Sequence, residues 1–305
     1  MDTDLTHHLE DYLRLRRSQG FKLVRPGAVL AQFIAWLQAA GATTITVDAA
    51  VAWAASPPGA SPISRVHRLG AVRGFAQYLR TIEPATEIPP PDVFSRPVCR
   101  AHPYLYSADE IRALLAAARG LRPQIRATTY EVLLGLISVT GLRLGEAVSL
   151  RRAAVDLDAG VLTIGGWKAS PQRLVPLHAS TTNALRDYAQ ARDRRFPAPR
   201  TDTFFVSSVG TPLITNGVDT TFNQLTTAIG IRTETVKPRI HDLRHRFAVA
   251  RLLDWYQHGQ DPAGKLPMLS AYLGHVNPAG TYWYFSAVPE LMALAAQRLQ
   301  QGQPR

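Results

Sequence analysis

The sequence has almost no cysteine, few lysines and no long hydrophobic run. Cys99 is the single cysteine among 305 residues, which excludes an internal disulfide framework and a multi-cysteine zinc module. The longest apolar stretch, residues 132–139, is far too short to span a membrane. The acidic start of the chain, residues 1–4, lacks the apolar core that a signal peptide needs. We therefore expect a cytoplasmic protein without membrane association.

Basic residues outnumber acidic ones, and arginine supplies most of them. The chain has 34 Lys and Arg, of which only four are Lys, against 23 Asp and Glu, so its net charge is +11. Residues 1–106 carry +3, from 11 basic and 8 acidic residues, and residues 107–305 carry +8, from 23 and 15. This charge favours an anionic partner, with nucleic acid as the first candidate. The sequence offers neither a P-loop nor a carboxylate cluster, so it predicts no bound ATP or metal.

The first ninety residues have the pattern of a small helical domain. Apolar residues at helical spacing predict one helix that ends at Gly20, a second that ends at Gly41, a third near 46–55 and a fourth over 62–82. The fourth helix carries arginines beside its apolar face, which indicate either a DNA-contacting surface or a merely solvated one. They are Arg65, Arg68 and Arg73. Six prolines between residues 84 and 103 then exclude a helix and predict a stiff linker.

A second domain begins near Tyr106 and is mainly helical. Ser107 and Glu110 form a capping box that opens its first helix. Further helices are predicted near residues 126–140, 145–152, 180–192, 216–229, 241–257, 266–273 and 289–300. Residues 161–164 and 173–177 flank a short loop and predict a β-hairpin. The division is therefore a helical domain over 1–88, a linker over 89–106 and a mainly α domain with a small β-sheet over 107–305.

Two segments of the second domain combine arginine with a possible partner. Arg143 lies at a Gly-marked junction between helices with Glu146 three residues later, a pattern that alone is typical of an ion pair at a helix start. His241 and Arg244 share one helix face, so both can point at one phosphate. His241 and His245 also have a spacing used by zinc ligands. A zinc site would need more ligands, and Arg244 between them would repel a cation, so His245 is predicted to be a buried structural residue.

Two later segments have no clear function when each is taken alone. His275 follows Leu273-Gly274, where histidine is usually a cap or a packing residue, and residues 281–285 form an aromatic run typical of a core. Taken together and in order, however, the four segments resemble the tyrosine recombinase (phage integrase) family over essentially the whole chain, and its transposon-borne branch most of all. The matching residues are Arg143, His241 and Arg244 as H-x-x-R, Leu273-Gly274-His275, and Tyr284 nine residues after His275.

The resemblance implies a catalytic role for each matching residue. It assigns Tyr284 as the nucleophile, Arg143 and Arg244 as the phosphate-binding arginines, His241 as the H-x-x-R histidine, Lys168 as the catalytic lysine, and His275 at a position where relatives carry His or Trp. Glu146 matches the acidic residue that supports the first arginine. The chain departs from the family in its hairpin loop, where many relatives have two lysines or a Gly-Lys turn and this chain has Lys168 alone. Tyr282 is a rival nucleophile, but on a helix it would face about 200° away from Tyr284.

The resemblance also implies a fold, an activity and partners. The fold is an N-terminal helical (SAM-like) DNA-binding domain followed by an α+β catalytic domain. The activity is site-specific recombination or transposition through a 3′-phosphotyrosine, without metal or ATP, in integration or excision of a mobile element. The alternatives are a dimer resolvase of the same family, a type IB topoisomerase-like enzyme and a non-catalytic DNA-binding relic. The partners are double-stranded DNA, three further copies of the chain on paired DNA sites and accessory recombination proteins. The resemblance implies no cofactor, and it implies association with the nucleoid when the protein is bound to DNA. The C-terminal helix near 291–299 docks either on a neighbouring protomer or on its own domain.

Overall fold

The chain folds into two units that are each mainly helical. The computed structural model describes residues 4–95, 103–165 and 172–274, and the chain divides into compact units over residues 1–100 and 101–305. The second unit adds a small three-stranded sheet, so the predicted fold class is confirmed. In the described part of the chain, no helix combines the length and apolar character needed to cross a lipid bilayer.

Four helices form the first unit over its described residues, 4–95. They are α1 (Leu5–Ser18), α2 (Val24–Ala39), α3 (Val47–Ala55) and α4 (Pro62–Leu79). Side-chain oxygens of Asp4, Thr46 and Ser61 accept backbone N–H groups at the starts of α1, α3 and α4, which explains where these helices begin. The predicted apolar faces meet in one core, in which Phe33 and Phe75 are completely buried.

The arginines of α4 have structural roles within the first unit. Arg68 donates a hydrogen bond to the carbonyl of Trp53 (2.9 Å), and its guanidinium lies 3.7 Å from the centre of the Trp53 ring. Arg73 donates to the carbonyls of Pro89 (2.8 Å) and Pro90 (2.7 Å). Arg68 and Arg73 therefore hold α3 and the proline-rich segment in place, a role that differs from both the DNA-contacting and the solvated surface expected from the sequence.

The described ends of the proline-rich segment each pack on their own unit. Ile88 and Phe94 pack against the core of the first unit, whereas Tyr106 is only 3% exposed in the core of the second. Residues 96–102, in the middle of the predicted 89–106 linker, lie outside the described residues.

The helices in the described part of the second unit follow the predicted order. They are α5 (Ala108–Arg119), α6 (Gln124–Thr140), α7 (Leu144–Val148), α8 (Ala179–Arg195), α9 (Thr215–Ala228), α10 (Ile240–Gln257) and α11 (Pro262–Leu273). The predicted capping box at the start of α5 is confirmed, because the Ser107 hydroxyl accepts the Glu110 N–H and the Glu110 carboxylate accepts the Ser107 N–H. Helix α6 runs through the core with ten buried residues.

Two helices differ from their predictions by four residues at one end. Helix α7 is shorter than the predicted 145–152, because the chain leaves the helix and the backbone N–H of Arg152 donates to the carbonyl of Asp202 (2.8 Å). Helix α11 begins four residues earlier than predicted, because Asp261 caps it and Pro262 occupies its first position. The predicted helix over 289–300 lies outside the described residues.

The predicted hairpin is present as part of a three-stranded antiparallel sheet. The strands β1 (Val155–Asp156), β2 (Val161–Ile164) and β3 (Arg173–Pro176) pair in the order β1-β2-β3. Leu162 of β2 faces Val175 of β3, and both are completely buried. Strand β3 contacts α11, so the sheet brings the start of β3 to the end of that helix.

Candidate active site

The candidate site is built where three helices begin or end. Helix α6 ends at Gly141 and α11 ends at Gly274, and both glycines adopt the left-handed conformation, with φ of +64° and +66°. A Cβ at Gly141 would lie 2.7 Å from Cδ1 of Phe247, so this turn has no room for a side chain. After this turn, Arg143 has an extended backbone and is the residue directly before α7.

Arg143 is held between the first turn of α7 and the end of α11. Its Nη1 donates to Oε1 of Glu146 (2.9 Å), and its Nη2 donates to the carbonyl of Gly274 (2.8 Å). The other carboxylate oxygen of Glu146 accepts the backbone N–H of Arg143 (3.0 Å). The ion pair expected from the Arg143–Glu146 spacing is therefore present, and it fixes a guanidinium that is 40% exposed.

Arg244 reaches the same place from α10. It is 1% exposed, and its Nη1 and Nη2 donate to the carbonyls of Gly141 and Leu273, both at 2.7 Å. Nη1 of Arg143 lies 3.5 Å from the same Leu273 oxygen. Two guanidinium groups that are 101 residues apart in sequence thus meet at one backbone oxygen.

His241 lies one turn before Arg244 and is exposed. It lines a groove with Lys237 and Arg239, and its ring centre is 4.7 Å from that of His245 in an edge-to-face arrangement. Partial desolvation and the nearby Arg244 guanidinium lower the pKa of His241. Both effects favour a neutral imidazole, the form that accepts a proton at neutral pH.

His245 is half-buried, whereas the sequence predicts a buried residue. Burial and the neighbouring His241 lower its pKa to about 4. Among the described residues, no three His, Cys, Asp or Glu side chains lie close enough together to hold a metal ion.

The start of α10 is fixed by a buried carboxylate. Asp242 is 1% exposed and accepts the backbone N–H of Arg239 (2.8 Å) and its Nη2 (2.8 Å). The Tyr106 hydroxyl donates to the carbonyl of Arg239 (3.3 Å), so the chain that enters the second unit also anchors this turn. These contacts set the orientation of the turn that carries His241 and Arg244.

Arg173 joins Arg143, Arg244 and Glu146 in what we call the arginine cluster. The sequence pattern predicts Arg173 only as a strand residue. Its Nη2 donates to Oε2 of Glu146 (2.7 Å), and its Nε donates to the carbonyl of Tyr272 (2.8 Å). Burial opposes ionisation of Glu146, but hydrogen bonds from Arg173 and Arg143 outweigh it and lower the pKa of the carboxyl. No spacing rule marks Arg173, because its partners lie 27 and 99 residues away.

The structure brings Arg143, His241 and Arg244 together, and the other predicted site residues fall outside its description. Those residues are Lys168, His275, Tyr284 and the rival Tyr282. By sequence, Lys168 precedes Arg173 by five residues, and His275 directly follows Gly274.

Comparison with known proteins identifies the family. Residues 105–290 match the model of the phage integrase family. The chain is 45% identical over 300 residues to the integrase/recombinase y4rB of Sinorhizobium fredii, which covers 96% of both chains. It is 29% identical to the tyrosine recombinase XerD of Caulobacter vibrioides, over 78% of this chain and 75% of that one.

A solved structure shares the fold. The Tn1549 transposon integrase, determined in complex with transposon right end DNA, aligns with a TM-score of 0.65 at 15% identity and covers 96% of this chain and 99% of its own. Because the family match extends over both sides of the arginine cluster and y4rB aligns over nearly the whole chain, the chain belongs to the phage integrase family and is a tyrosine recombinase, an enzyme of site-specific DNA recombination.

Proposed function

We propose that this recombinase cuts and rejoins duplex DNA through a covalent bond to Tyr284, with Arg143 and Arg244 binding the reacting phosphate. The observation that carries the proposal is the convergence of both guanidinium groups on the Leu273 oxygen. Planar guanidinium groups bind phosphate oxygens in a defined geometry and need no metal ion to do so. Losing one of them is expected to lower the rate about 100- to 1,000-fold, as for a single oxyanion donor.

The proposed reaction conserves the phosphodiester bond. The phenolic oxygen of Tyr284 attacks phosphorus, the bond to the 5′-oxygen breaks, and a 3′-phosphotyrosine remains. The 5′-hydroxyl of the partner strand then attacks this phosphorus, and the bond to the tyrosine oxygen breaks. Each step exchanges one phosphate ester for another, so neither ATP nor water is consumed.

The remaining residues are proposed to move protons and orient the clamp. A free tyrosine has a pKa near 10, so Tyr284 needs a neutral base such as His241, whose pKa is lowered. Lys168 protonates the departing 5′-oxygen as general acid. His275 donates a hydrogen bond to a non-bridging oxygen, and Glu146 orients Arg143.

We further propose the partners and the biological role. Residues 1–88 form a second DNA-contacting domain and 107–305 the catalytic domain, and the net charge of +11 supplies a salt-dependent attraction to the DNA backbone. Exchange between two duplexes requires two cuts in each, hence four protomers on paired sites. The role is integration or excision of a mobile element in the cytoplasm, on the nucleoid and with accessory recombination proteins.

Covalent capture tests the nucleophile and finds the target site at once. The wild-type protein, Tyr284→Phe and the matched control Tyr282→Phe are expressed in cells that carry the flanking DNA of the gene. The cells are lysed in detergent, and DNA that stays bound to the denatured protein is sequenced. We expect discrete ends from the wild type and Tyr282→Phe, and none from Tyr284→Phe.

Other outcomes would overturn the proposal in different ways. Ends that scatter without a shared sequence would favour a topoisomerase-like enzyme. Ends that depend on Tyr282 would move the nucleophile. If no variant carries DNA while all of them bind it, the protein is a non-catalytic DNA-binding relic.

A further inference from the structure

Arg173 joins three parts of the second unit that carry site residues. It is the first residue of β3, it contacts Glu146 in α7, and it contacts the end of α11. Its side chain is only 14% exposed. A buried arginine is retained at low cost only where most of its donors have partners, and Arg173 makes three hydrogen bonds to these two elements.

The contact with Glu146 is bidentate. Nη1 of Arg173 donates to Oε1 (3.2 Å) and Nη2 donates to Oε2 (2.7 Å), so both carboxylate oxygens are fixed in one plane. The same two oxygens accept Nη1 and the backbone N–H of Arg143. Glu146 is thus shared between one arginine on its buried side and one that is 40% exposed. The orientation of Arg143 therefore depends on how Arg173 holds the carboxylate.

The contact with α11 acts on Arg143 from the other side. Nε of Arg173 donates to the carbonyl of Tyr272, and Nη2 of Arg143 donates to that of Gly274, two residues further along. Arg173 also packs against the end of the helix, since a Cβ at Gly274 would lie 2.6 Å from its Nη1. Both anchors of Arg143, Glu146 and the α11 terminus, are therefore held by Arg173.

We propose that Arg173 is a positioning residue that holds Arg143 against the reacting phosphate by fixing Glu146 and the end of α11 together. The inference rests on the proposed function, because Arg143 must bind the phosphate for its position to matter. Arg173 itself is not expected to touch DNA. A displacement of about 1 Å in such a group lowers the rate by on the order of 100-fold.

The decisive variant is Arg173→Lys, which keeps the charge and loses the paired N–H groups. The matched control is Arg152→Lys, because Arg152 also forms a half-buried ion pair in this unit, with Asp193 at 2.9 Å. Thermal unfolding of both variants is measured first, to establish that each of them folds. Covalent capture by the wild type is the reference, and failure at this first step would refute the proposed function and the inference with it.

The target sequence from the capture then supplies synthetic duplexes. One carries an ordinary phosphate and the other a methylphosphonate at the cut position, where a methyl group replaces a charged oxygen and leaves no negative charge for Arg143 to neutralise. On ordinary DNA, we expect Arg173→Lys to form covalent complex about 100-fold more slowly than the wild type and Arg152→Lys to match the wild type. On the methylphosphonate, the deficit of Arg173→Lys should shrink to a few-fold, as should that of Arg143→Ala.

A double-mutant cycle supplies a second, independent measurement. Because Arg173 acts in part through Glu146, the rate loss of Arg173→Lys combined with Glu146→Gln should be clearly smaller than the product of the two single losses. Equal deficits of Arg173→Lys on both duplexes, or multiplicative losses in the double variant, would overturn the inference while leaving the proposed function intact. A wild-type rate for Arg173→Lys on ordinary DNA would overturn it as well.

Discussion

Replacing Gly141 by alanine should strain the turn on which the arginine cluster is built. The φ of +64° at Gly141 costs an L-residue about 1–2 kcal/mol. The new Cβ would also lie 2.7 Å from Cδ1 of Phe247 and 3.0 Å from Cδ2 of Leu273, so both side chains must move. Overpacking of this kind costs about 1–3 kcal/mol. We therefore expect Gly141→Ala to lower the free energy of unfolding of the second unit by about 2–5 kcal/mol.

Gly230 provides a control that separates the two causes. It follows α9 in the same unit with φ of +77°, and among the described residues no atom lies within 4 Å of the position its Cβ would take. Gly230→Ala should therefore cost only the backbone strain of about 1–2 kcal/mol.

Hydrogen exchange measured on peptides of α6 is the suitable assay. It reports the unfolding of the second unit alone, whereas a denaturant curve would combine two units that need not unfold together. Equal losses of protection in the two alanine variants would contradict this prediction, because the steric contribution would then be absent.

Gly141→Ala should also impair catalysis beyond its effect on folding. The Gly141 carbonyl accepts Nη1 of Arg244 and Leu273 accepts Nη2, so the substitution disturbs both groups that orient this guanidinium. At a temperature where all variants are folded, the yield of covalent complex should fall for Gly141→Ala and stay at the wild-type level for Gly230→Ala.

Three smaller predictions concern the second unit. Burial and the neighbouring His241 lower the pKa of His245 to about 4. Between about pH 6.5 and pH 4, the unfolded chain therefore binds a proton at His245 that the folded chain does not bind. The free energy of unfolding should fall as the pH drops through that range. His245→Asn should flatten this dependence by less than about 1.4 kcal/mol per pH unit, since the ring is partly exposed, and an unchanged pH profile would contradict the prediction. Asp242→Asn should lower the free energy of unfolding by about 1–3 kcal/mol, because a buried acceptor of Arg239 loses its charge. A melting temperature equal to that of the wild type would contradict this expectation. Ser107→Ala removes the side-chain cap of α5 and should lower the free energy of unfolding, measured by thermal unfolding, by about 0.5–2 kcal/mol. An unchanged stability would mean that the Glu110 side chain alone maintains the cap.

Sequence patterns that act over a few residues predict most of the helices and, within the arginine cluster, the Arg143–Glu146 pair. Ser107 with Glu110 and the apolar spacing of residues 126–140 act within a few residues, so their effects are visible in sequence. The Arg143–Glu146 pair is predictable for the same reason. Arg244 was located because its H-x-x-R spacing with His241 resembles a known family, whereas its bonds to Gly141 and Leu273 connect distant parts of the chain and follow only from the fold.

Arginine is the residue type whose structural role is hardest to predict from this sequence. Arg68 and Arg73 have the pattern of a DNA-contacting or solvated surface, but one stacks on Trp53 and the other binds prolyl carbonyls. Arg173 has the pattern of an ordinary strand residue, but it anchors Glu146. A guanidinium carries five donors at the end of a long apolar stem, so its role depends on which acceptors the folded chain brings within reach.

The charged groups at the site leave a positive surplus that is larger than the single negative charge of a phosphodiester. Arg143, Arg173 and Arg244 contribute three positive charges, the Glu146 carboxylate removes one, and the carbonyl end of α11 contributes about half a negative charge. The remaining charge of about +1.5 exceeds the single negative charge of a phosphodiester and lies closer to the larger charge of its pentacoordinate transition state. The cluster is thus expected to bind the transition state more strongly than the ground state, which is the requirement for catalysis.

Glu146→Gln tests this balance, because it raises the surplus by one charge and loosens Arg143. We expect tighter binding of duplex DNA at low salt, with a steeper salt dependence, and at the same time a lower yield of covalent complex. Filter binding across a salt series measures the first effect, and capture on the identified site measures the second. If binding and covalent yield fell together, Glu146 would serve mainly to keep the site folded. If both rose, the charge of the cluster would matter more than the orientation of Arg143.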